Sequence, residues 1–406
     1  MQSYRYVILG GGVTAGYSAK EFAAGQLGKE ELCLVSAEDR LPYDRPPLSK
    51  NVLQGEIEPE DATINERGFY DEHGIELKLG ELVTDVDFDS RALETEGGER
   101  IQYDNLLIAT GARVRRLDVP GADLDNILYL RDMDDVRRII AAADASERAV
   151  VLGGGFIGTE VAASLADRGL DVTLISGEDR LLKGRPMAPE MSDFFQGYFR
   201  DRGVELILAD RAASFEGGGR VSAVTLESGG RVEADLVVAG IGVLPNVELF
   251  EDTALDVDDG LVVDESLQTG IANVFAAGDV ARYEDVLFGR MRRIEHWDNA
   301  RSQGAHWARI MLGDKEPFDH IPYFFSDVFD LSWEYWGDQQ GAERVVYRGD
   351  VQGGRFSAWW LKEGKVVAAF VMDRPGEERE AAQRLIRSSE RISADVLEDE
   401  ARNLEV

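Results

Sequence analysis

The sequence predicts an α/β chain built on two dinucleotide-binding units. Two observations carry that prediction. A glycine turn stands between an apolar strand and a helical pattern near the start, and the same arrangement returns 143 residues later, from Gly10 to Gly153. The chain is also long enough, at 406 residues with 44% hydrophobic content, for two or three domains with real cores.

The first turn lies in "YVILGGGVTAGYSAKEF", which begins at residue 6. Its spacing is Gly10-x-Gly12-x-x-Ala15. Gly10 permits the tight turn, and Gly12 lets the backbone approach a pyrophosphate. Ala15 is small enough for close helix–strand packing, and the helix N-terminus attracts phosphate. Val13 and Thr14 lie inside the same turn and join it as cofactor-binding candidates. One such fingerprint is a weak signal. Its place directly after a strand strengthens it.

The second turn, in "RAVVLGGGFIGTEVAASLADRGLDVTLIS", has Gly153-x-Gly155-x-x-Gly158 with Phe156 and Ile157 between. It follows "AVVL", opens a helix, and "DVTLIS" supplies the next strand. Two dinucleotides are implied, or one domain duplicated for structural reasons. Three further apolar runs end in small residues: "YDNLLIATGA" with Thr110 and Gly111, "ADLVVAGIGVLPN" with Gly240, and "NVFAAGDVA" with Gly278 and Asp279. Asp279 reads either as a turn residue or as an acceptor for the ribityl hydroxyls of a flavin.

Composition excludes several classes. The net charge of −33 should repel nucleic acid and anionic lipid. Positive charge comes from 36 arginines and 8 lysines, a pattern that a salty cytoplasm or a GC-rich genome would each produce. The opening residues carry no basic region, long apolar helix or cleavage site, so no signal peptide is expected, and no run of about 18 apolar residues predicts a membrane span. Cys33 is the only cysteine and reads as a buried strand residue without a disulfide partner. A cytoplasmic protein is the simplest fit. Four histidines without metal-site spacing predict no metal. The C-terminal segment from Arg374 reads as solvated amphipathic helix with Ala381, Leu385 and Ile386 inward.

One stretch stands apart. In "PYFFSDVFDLSWEYWGD", residues 322–338, seven of seventeen residues are aromatic, against 9% in the whole chain. Such a stretch reads as core, or as a face turned to an aromatic ligand.

Together these features resemble the two-dinucleotide flavoprotein reductases of the glutathione-reductase-like fold. The resemblance covers essentially the whole chain. It implies FAD on the first fingerprint, with Glu38, Thr110, Gly111 and Asp279 as further contacts, and a nicotinamide cofactor on the second, with Gly240 beside it. It also implies a split FAD domain (1–113 and 244–320), an inserted NAD domain (114–243) and a C-terminal α+β interface domain (321–406). Disulfide reductases of this group use a cysteine pair beside the flavin. With one cysteine that chemistry is impossible here, so electrons must leave the flavin directly.

"LPYDRPPLSK" (41–50) is similar to a flavin-contacting segment of oxygenase-coupled ferredoxin reductases, apoptosis-inducing factors and monodehydroascorbate reductases. Its prolines alone would make a rigid surface loop. Arg45 and Lys50 match the motif's basic residues. The resemblance implies that Lys50 lies near the flavin N5 edge and pairs with Glu160, which otherwise reads as an ordinary helix carboxylate.

Three segments narrow the resemblance to monodehydroascorbate reductases: the first glycine turn, "NILYLRDMDDV" with Arg131, and the aromatic stretch. "RRIEHWDNARSQG" fits too, with Glu295 and His296 as flavin contacts and Arg301 as the substrate arginine. Trp297 looks more like the ferredoxin-reductase branch and would stack over the flavin or nicotinamide. Phe329 and Leu331 are expected in the sheet core of the last domain. Tyr323, Phe324 and Phe325 are expected to face the flavin ring and the acceptor. Phe325 departs from the branch, which has a tyrosine there, and the lost hydroxyl removes one hydrogen bond to a polar substrate such as the ascorbate radical.

The resulting expectation is an enzyme that passes a hydride from NADH to FAD and then single electrons to a small-molecule acceptor. Lys50, Glu160, Trp297 and Arg301 are its catalytic candidates, and Arg301 and Phe325 its substrate candidates. A reductase with a ferredoxin partner is the first alternative, although −33 would oppose an acidic ferredoxin without a local basic patch. A non-enzymatic flavin-gated binding protein is the second. Glu178, just beyond "DVTLIS", predicts NADH over NADPH, because a carboxylate accepts from a ribose hydroxyl and repels a 2′-phosphate. Arg180, Lys183 and Arg185 would instead welcome that phosphate.

Overall fold

A strand whose C-terminal half is apolar, a glycine turn and a small-residue helix form the local unit repeated in this chain. In chain order the elements that frame the two turns are β1 (Gln2–Leu9), α1 (Val13–Ala24), β2 (Leu32–Ser36), β3 (Arg148–Leu152), α2 (Phe156–Asp167) and β4 (Asp171–Ser176); helix α3 (Trp297–Met311) and strand β5 (Tyr323–Val328) follow. This is a computed structural model, and it describes residues 2–26, 28–184, 187–388 and 390–404. The chain divides into two units. The first comprises Met1–Arg45, Glu60–Arg113 and Val243–His320, and the second Pro46–Pro59, Val114–Gly242 and Ile321–Val406.

The first unit is organised on a parallel sheet. Strand Glu76–Leu79 pairs β2, β2 pairs β1, β1 pairs Arg100–Ile108, and Val274–Ala276 pairs that strand in turn. Leu9 lies opposite both Val35 and Ile108. Val7, Ile8, Cys33, Leu34, Leu106 and Leu107 are fully buried. A parallel sheet covered on both faces needs such uninterrupted apolar runs. Two antiparallel strands, Ala92–Thr95 and Val83–Asp87, extend the sheet from the start of Arg100–Ile108.

Helices α1 and α3 lie in close contact because their small residues allow it. A Cβ at Gly304 would collide with the backbone carbonyl of Thr14, and Ser18 Oγ donates to the Gly304 carbonyl at 2.8 Å. Tyr6, Phe22 and Trp307 interlock beneath them, Phe22 meeting Trp307 edge-on at 5.4 Å.

In the second unit, five parallel strands stand in the order Glu205–Leu208, β4, β3, Leu236–Ala239, Ile127–Tyr129. A three-stranded antiparallel sheet packs Phe215, Val221, Val224 and Leu226 into one core with Val150, Leu152 and Val237. The C-terminal sheet is antiparallel, in the order β5, Leu331–Gly337, Lys365–Met372, Arg355–Lys362, Arg344–Asp350. One face carries the buried Trp333, Phe356 and Phe370, and Trp359 is buried on the other. Each such side chain contributes about 1.5–3 kcal/mol or more by leaving water.

The C-terminal segment forms helix Gly376–Ser388 with Ala381, Leu385 and Ile386 buried, as the pattern predicts. It then breaks before a short helix, Ala394–Glu398. The buried Arg348 ties this tail down. It pairs with Glu378 and donates to the carbonyls of Leu397, Asp399 and Arg402.

The expectation for Phe329 fails, and Leu331 opens the strand in the row of Trp333 and Tyr335. Phe329 and Leu331 are half-buried, while Val328, Trp333, Tyr335 and Trp336 take the core positions. Phe329 occupies the hairpin turn with φ of +54°, and a residue that turns the chain cannot also point with the strand's inner row.

Candidate functional site

In the first unit the predicted residues gather at one end of the parallel sheet. Gly10 follows β1, Glu38 follows β2, Thr110 and Gly111 follow Arg100–Ile108, and Asp279 follows Val274–Ala276. These are the carboxyl ends of the strands, where open α/β sheets bind ligands. Gly10 has φ of +133°, and a Cβ there would collide with the Ala109 carbonyl. A Cβ at Gly12 would meet nothing within 4 Å. Gly12 caps α1 without a side-chain hydrogen bond. The turn therefore offers open space in front of first-turn N–H groups that no capping side chain takes up, a cradle that fits a pyrophosphate. Val13, Thr14 and Ala15 are buried behind it.

The surroundings are fixed by specific contacts. Thr110 Oγ1 donates to the Asn246 carbonyl, and Asn246 Nδ2 donates back to the Thr110 carbonyl at 2.8 Å. Gly278, at φ of +80°, donates its N–H to the buried Gln303. Glu38 accepts from Arg45 at 2.7 Å and from Tyr43 OH at 2.8 Å, so Arg45 holds the carboxylate at the end of β2. Asp279 is half-buried.

At the start of α3, His296 is the N-cap. Its Nδ1 accepts from the Asp298 N–H. Glu295 is exposed and paired with Arg293 at 2.6 Å. Trp297 Nε1 donates to Asp44 at 2.5 Å, and its ring meets Tyr17 edge-on at 6.1 Å. Burial pushes the Asp44 carboxyl above its usual range, against the pull of the Trp297 hydrogen bond. Arg301 is not an idle surface residue. Its guanidinium lies 5.2 Å from the Trp297 ring and pairs with the buried Asp298 at 2.8 Å.

The second unit repeats the sheet-end arrangement. Gly153, Glu178, Gly240 and Arg131 follow the strands β3, β4, Leu236–Ala239 and Ile127–Tyr129. Gly153 has φ of +112°, where a Cβ would collide with the Gly240 carbonyl, and a Cβ at Gly158 would collide with that of Gly153. Gly155 caps α2 without a side-chain bond and has open space beside it, so the same fit to a pyrophosphate holds. Ile157 is exposed at the helix start. Glu178 is exposed and paired with Lys183 at 3.1 Å, and Lys183 also pairs with Asp179 at 2.9 Å. Arg180 is engaged by Asp193, and Arg185 lies outside the described residues.

Lys50 and Glu160 meet in the second unit. Both are buried, with Nζ 3.6 Å from Glu160 Oε1. Three neighbours were not among the predicted site residues. Ser49 Oγ donates to Glu160 Oε2 at 2.5 Å, Ser326 Oγ donates to Oε1 at 2.6 Å, and Asp327 stands 3.2 Å from Lys50 Nζ. Strand β5 explains the geometry. Successive residues face opposite sides. Phe324 and Ser326 turn to α2, where Phe324 stacks on Phe156 at 6.1 Å. Phe325 and Asp327 turn the other way, and Lys50 Nζ lies 4.6 Å from the Phe325 ring centre. β5 is the edge strand of its sheet, so Lys50 reaches carboxylates on both of its faces. The signal for Ser326 and Asp327 was the period-two alternation of a strand already singled out for its aromatics.

Arg301 belongs to the first unit and Phe325 to the second. Phe325 stacks on Tyr323 at 6.0 Å. Cys33 is fully buried, and burial pushes its thiol up to about 12, so it is no redox partner. Among the described residues no helix is long and apolar enough to cross a membrane.

Residues 4–304 match the pyridine nucleotide-disulphide oxidoreductase model, and residues 323–406 match the reductase C-terminal model. The chain is 38% identical to the peroxisomal monodehydroascorbate reductase 4 of Arabidopsis thaliana, across 99% of this chain and 86% of that one. It is 35% identical to the seedling isozyme of monodehydroascorbate reductase from Cucumis sativus, across 98% and 97%. Among solved structures, the ferredoxin reductase for the CYP199A2 system from Rhodopseudomonas palustris is similar with a TM-score of 0.94 at 32% identity, covering 100% of this chain and 99% of that one. Putidaredoxin reductase, in its covalent complex with putidaredoxin, has a TM-score of 0.94 at 33% identity, covering 100% and 98%.

Proposed function

Because the chain belongs to the pyridine nucleotide-disulphide oxidoreductase family, we propose that it passes a hydride from NADH to FAD and then single electrons to a small radical acceptor, monodehydroascorbate. The chain is an FAD- and NADH-dependent oxidoreductase with an α/β two-dinucleotide fold. The choice of acceptor rests on one observation: relatives alike over nearly their whole length are monodehydroascorbate reductases. We keep the domain division at 1–113 and 244–320 for FAD, 114–243 for NAD and 321–406 for the interface domain. A cytoplasmic location is part of the same proposal, supported by the single buried Cys33.

FAD, when bound, supplies the ring that takes up the hydride and releases electrons singly. The protein's share is binding, orientation and charge. Gly10, Gly12 and the α1 N-terminus would take one pyrophosphate, and Gly153, Gly155 and the α2 N-terminus the other. Glu38 and Asp279 would accept from sugar and ribityl hydroxyls. Lys50, ion-paired with Glu160 and Asp327, would supply positive charge beside the reduced ring. Arg301 would attract an anionic acceptor. Each turnover consumes one NADH, one proton and two radical anions.

A ferredoxin acceptor is the second reading, favoured by Trp297 and by similarity to two reductases of ferredoxin-type partners. The net charge of −33 weighs against it. A steady-state screen with NADH and enzymatically generated monodehydroascorbate, ferricyanide, quinones and ferredoxin separates the two. Monodehydroascorbate should give the highest kcat/KM, and a higher value for ferredoxin would overturn the assignment. Arg301→Ala should lower the acceptor kcat/KM roughly tenfold to a hundredfold, with little change in flavin reduction by NADH. Phe325→Tyr should raise monodehydroascorbate turnover.

A further inference from the structure

Arg301 has a difficulty as an anion attractor. Its partner Asp298 is buried, 3% exposed, and sits three residues earlier on α3, so the pair carries no net charge. An anion approaching Arg301 meets the Asp298 charge as well. The structure supplies a remedy on the same carboxylate. Asp298 Oδ1 holds Arg301 Nη2 at 2.8 Å, while Oδ2 holds His320 Nε2 at 2.5 Å. With a neutral imidazole the three side chains sum to zero, and with an imidazolium they sum to one positive charge. The Arg301 side chain is 41% exposed, so its guanidinium keeps donors to offer beyond the bond to Asp298.

We propose that His320 is a specificity-determining residue: through Asp298 it sets the charge that Arg301 presents to an anionic acceptor. The proposal rests on Arg301 being the acceptor arginine. The groups around His320 leave the role to it. Phe318 lies 5.8 Å away and separates it from His306, which burial and then the Arg309 charge hold toward its neutral form. Asp319 adjoins it in the chain, and Asp298 is its direct charged contact. Burial raises the Asp298 carboxyl, but His320 and Arg301 together outweigh that and hold it below its usual range, so it stays an anion for both partners.

The test compares two acceptors in the FAD-loaded enzyme at saturating NADH and constant ionic strength. Ferricyanide is an anion of fixed charge, and NADH with two ferricyanides gives NAD+, a proton and two ferrocyanides. p-Benzoquinone is neutral. The KM for ferricyanide should be about three- to tenfold lower at pH about 6 than at about 8, with the quinone KM nearly flat. His320→Gln should make the ferricyanide KM flat at the higher value. His320→Arg, a permanent cation, should make it flat at the lower value, and the visible FAD spectrum reports that both variants are folded. A pH slope that survives His320→Gln, or no gain at pH 8 in His320→Arg, overturns the proposal. Arg301→Ala separates the two levels. If it leaves the ferricyanide KM unchanged, the acceptor reading of Arg301 fails and takes the role of His320 with it. If it raises KM while the His320 variants do nothing, only the role of His320 is lost.

Discussion

Ser326 donates a 2.6 Å hydrogen bond to Glu160, a partner 166 residues away in the chain. Ser49 satisfies the other carboxylate oxygen, and Lys50 supplies the countercharge. A carboxylate buried this far needs such partners to offset its lost hydration. Ser326→Ala leaves Oε1 only its 3.6 Å contact with Lys50, so the urea midpoint should fall by an amount equivalent to about 1.5–3 kcal/mol. Asp327 is half-exposed, and Asp327→Asn should cost at most about 1 kcal/mol. A larger loss for Asp327→Asn than for Ser326→Ala would reverse this ranking of the two contacts.

Glu178 and Lys183 give a second prediction. The exposed carboxylate is paired with an equally exposed ammonium, an exchange that a ribose can enter at little cost. The wild-type enzyme should prefer NADH. Glu178→Ala should narrow the preference mainly by improving kcat/KM for NADPH, because it removes repulsion of the 2′-phosphate. Equal use of both cofactors by the wild type would refute the role of Glu178.

Asp298 gives a pH prediction whose sign follows from its shift. His320 and Arg301, outweighing burial, hold its folded-state carboxyl below the unfolded value. Its stabilising contribution is therefore complete above about pH 4, the usual carboxylate range, and is lost as pH falls through the lower folded value. Stability followed by chemical denaturation should drop more steeply with acid in the wild type than in Asp298→Asn. At neutral pH the variant should be weaker by about 1.5–3 kcal/mol, since it weakens charged hydrogen bonds to Arg301 and His320. A parallel acid profile for the two proteins would remove Asp298 from the account.

Charge provides the fourth prediction. At −33, self-repulsion acts across the whole surface, whereas exposed ion pairs such as Arg231–Glu216 contribute about 0–1 kcal/mol each. Salt screens both, and the long-range repulsion is the larger sum. The thermal midpoint should rise as salt increases from about 0.05 M to about 1 M, where the screening length shrinks to about 3 Å. A midpoint that falls over this range would mean that the ion pairs outweigh the repulsion.

Much of this protein is legible in its sequence because the signals are local. The two glycine turns need a positive φ and a missing side chain within a few residues of a buried strand, and Gly10 and Gly153 have both. The pairing of Lys50 with Glu160 was legible only through resemblance, since nothing near either residue names the other. Phe329 was misread because an aromatic run does not reveal which of its residues the hairpin will spend on the turn.

By itself, then, the sequence determined the α/β class, the two phosphate cradles, the strands whose ends carry them and, through one cysteine, the absence of a dithiol. Tertiary structure decided which charges meet. Only the fold sets Asp327 and Ser326 on opposite faces of an edge strand with Lys50 reaching around it, and only the fold lets one carboxylate, Asp298, hold Arg301 and His320 together. The physical reason is range. Backbone sterics and hydrophobic period act over a few residues and leave a pattern. A hydrogen bond between groups 22 or 166 residues apart is made by packing, and leaves none.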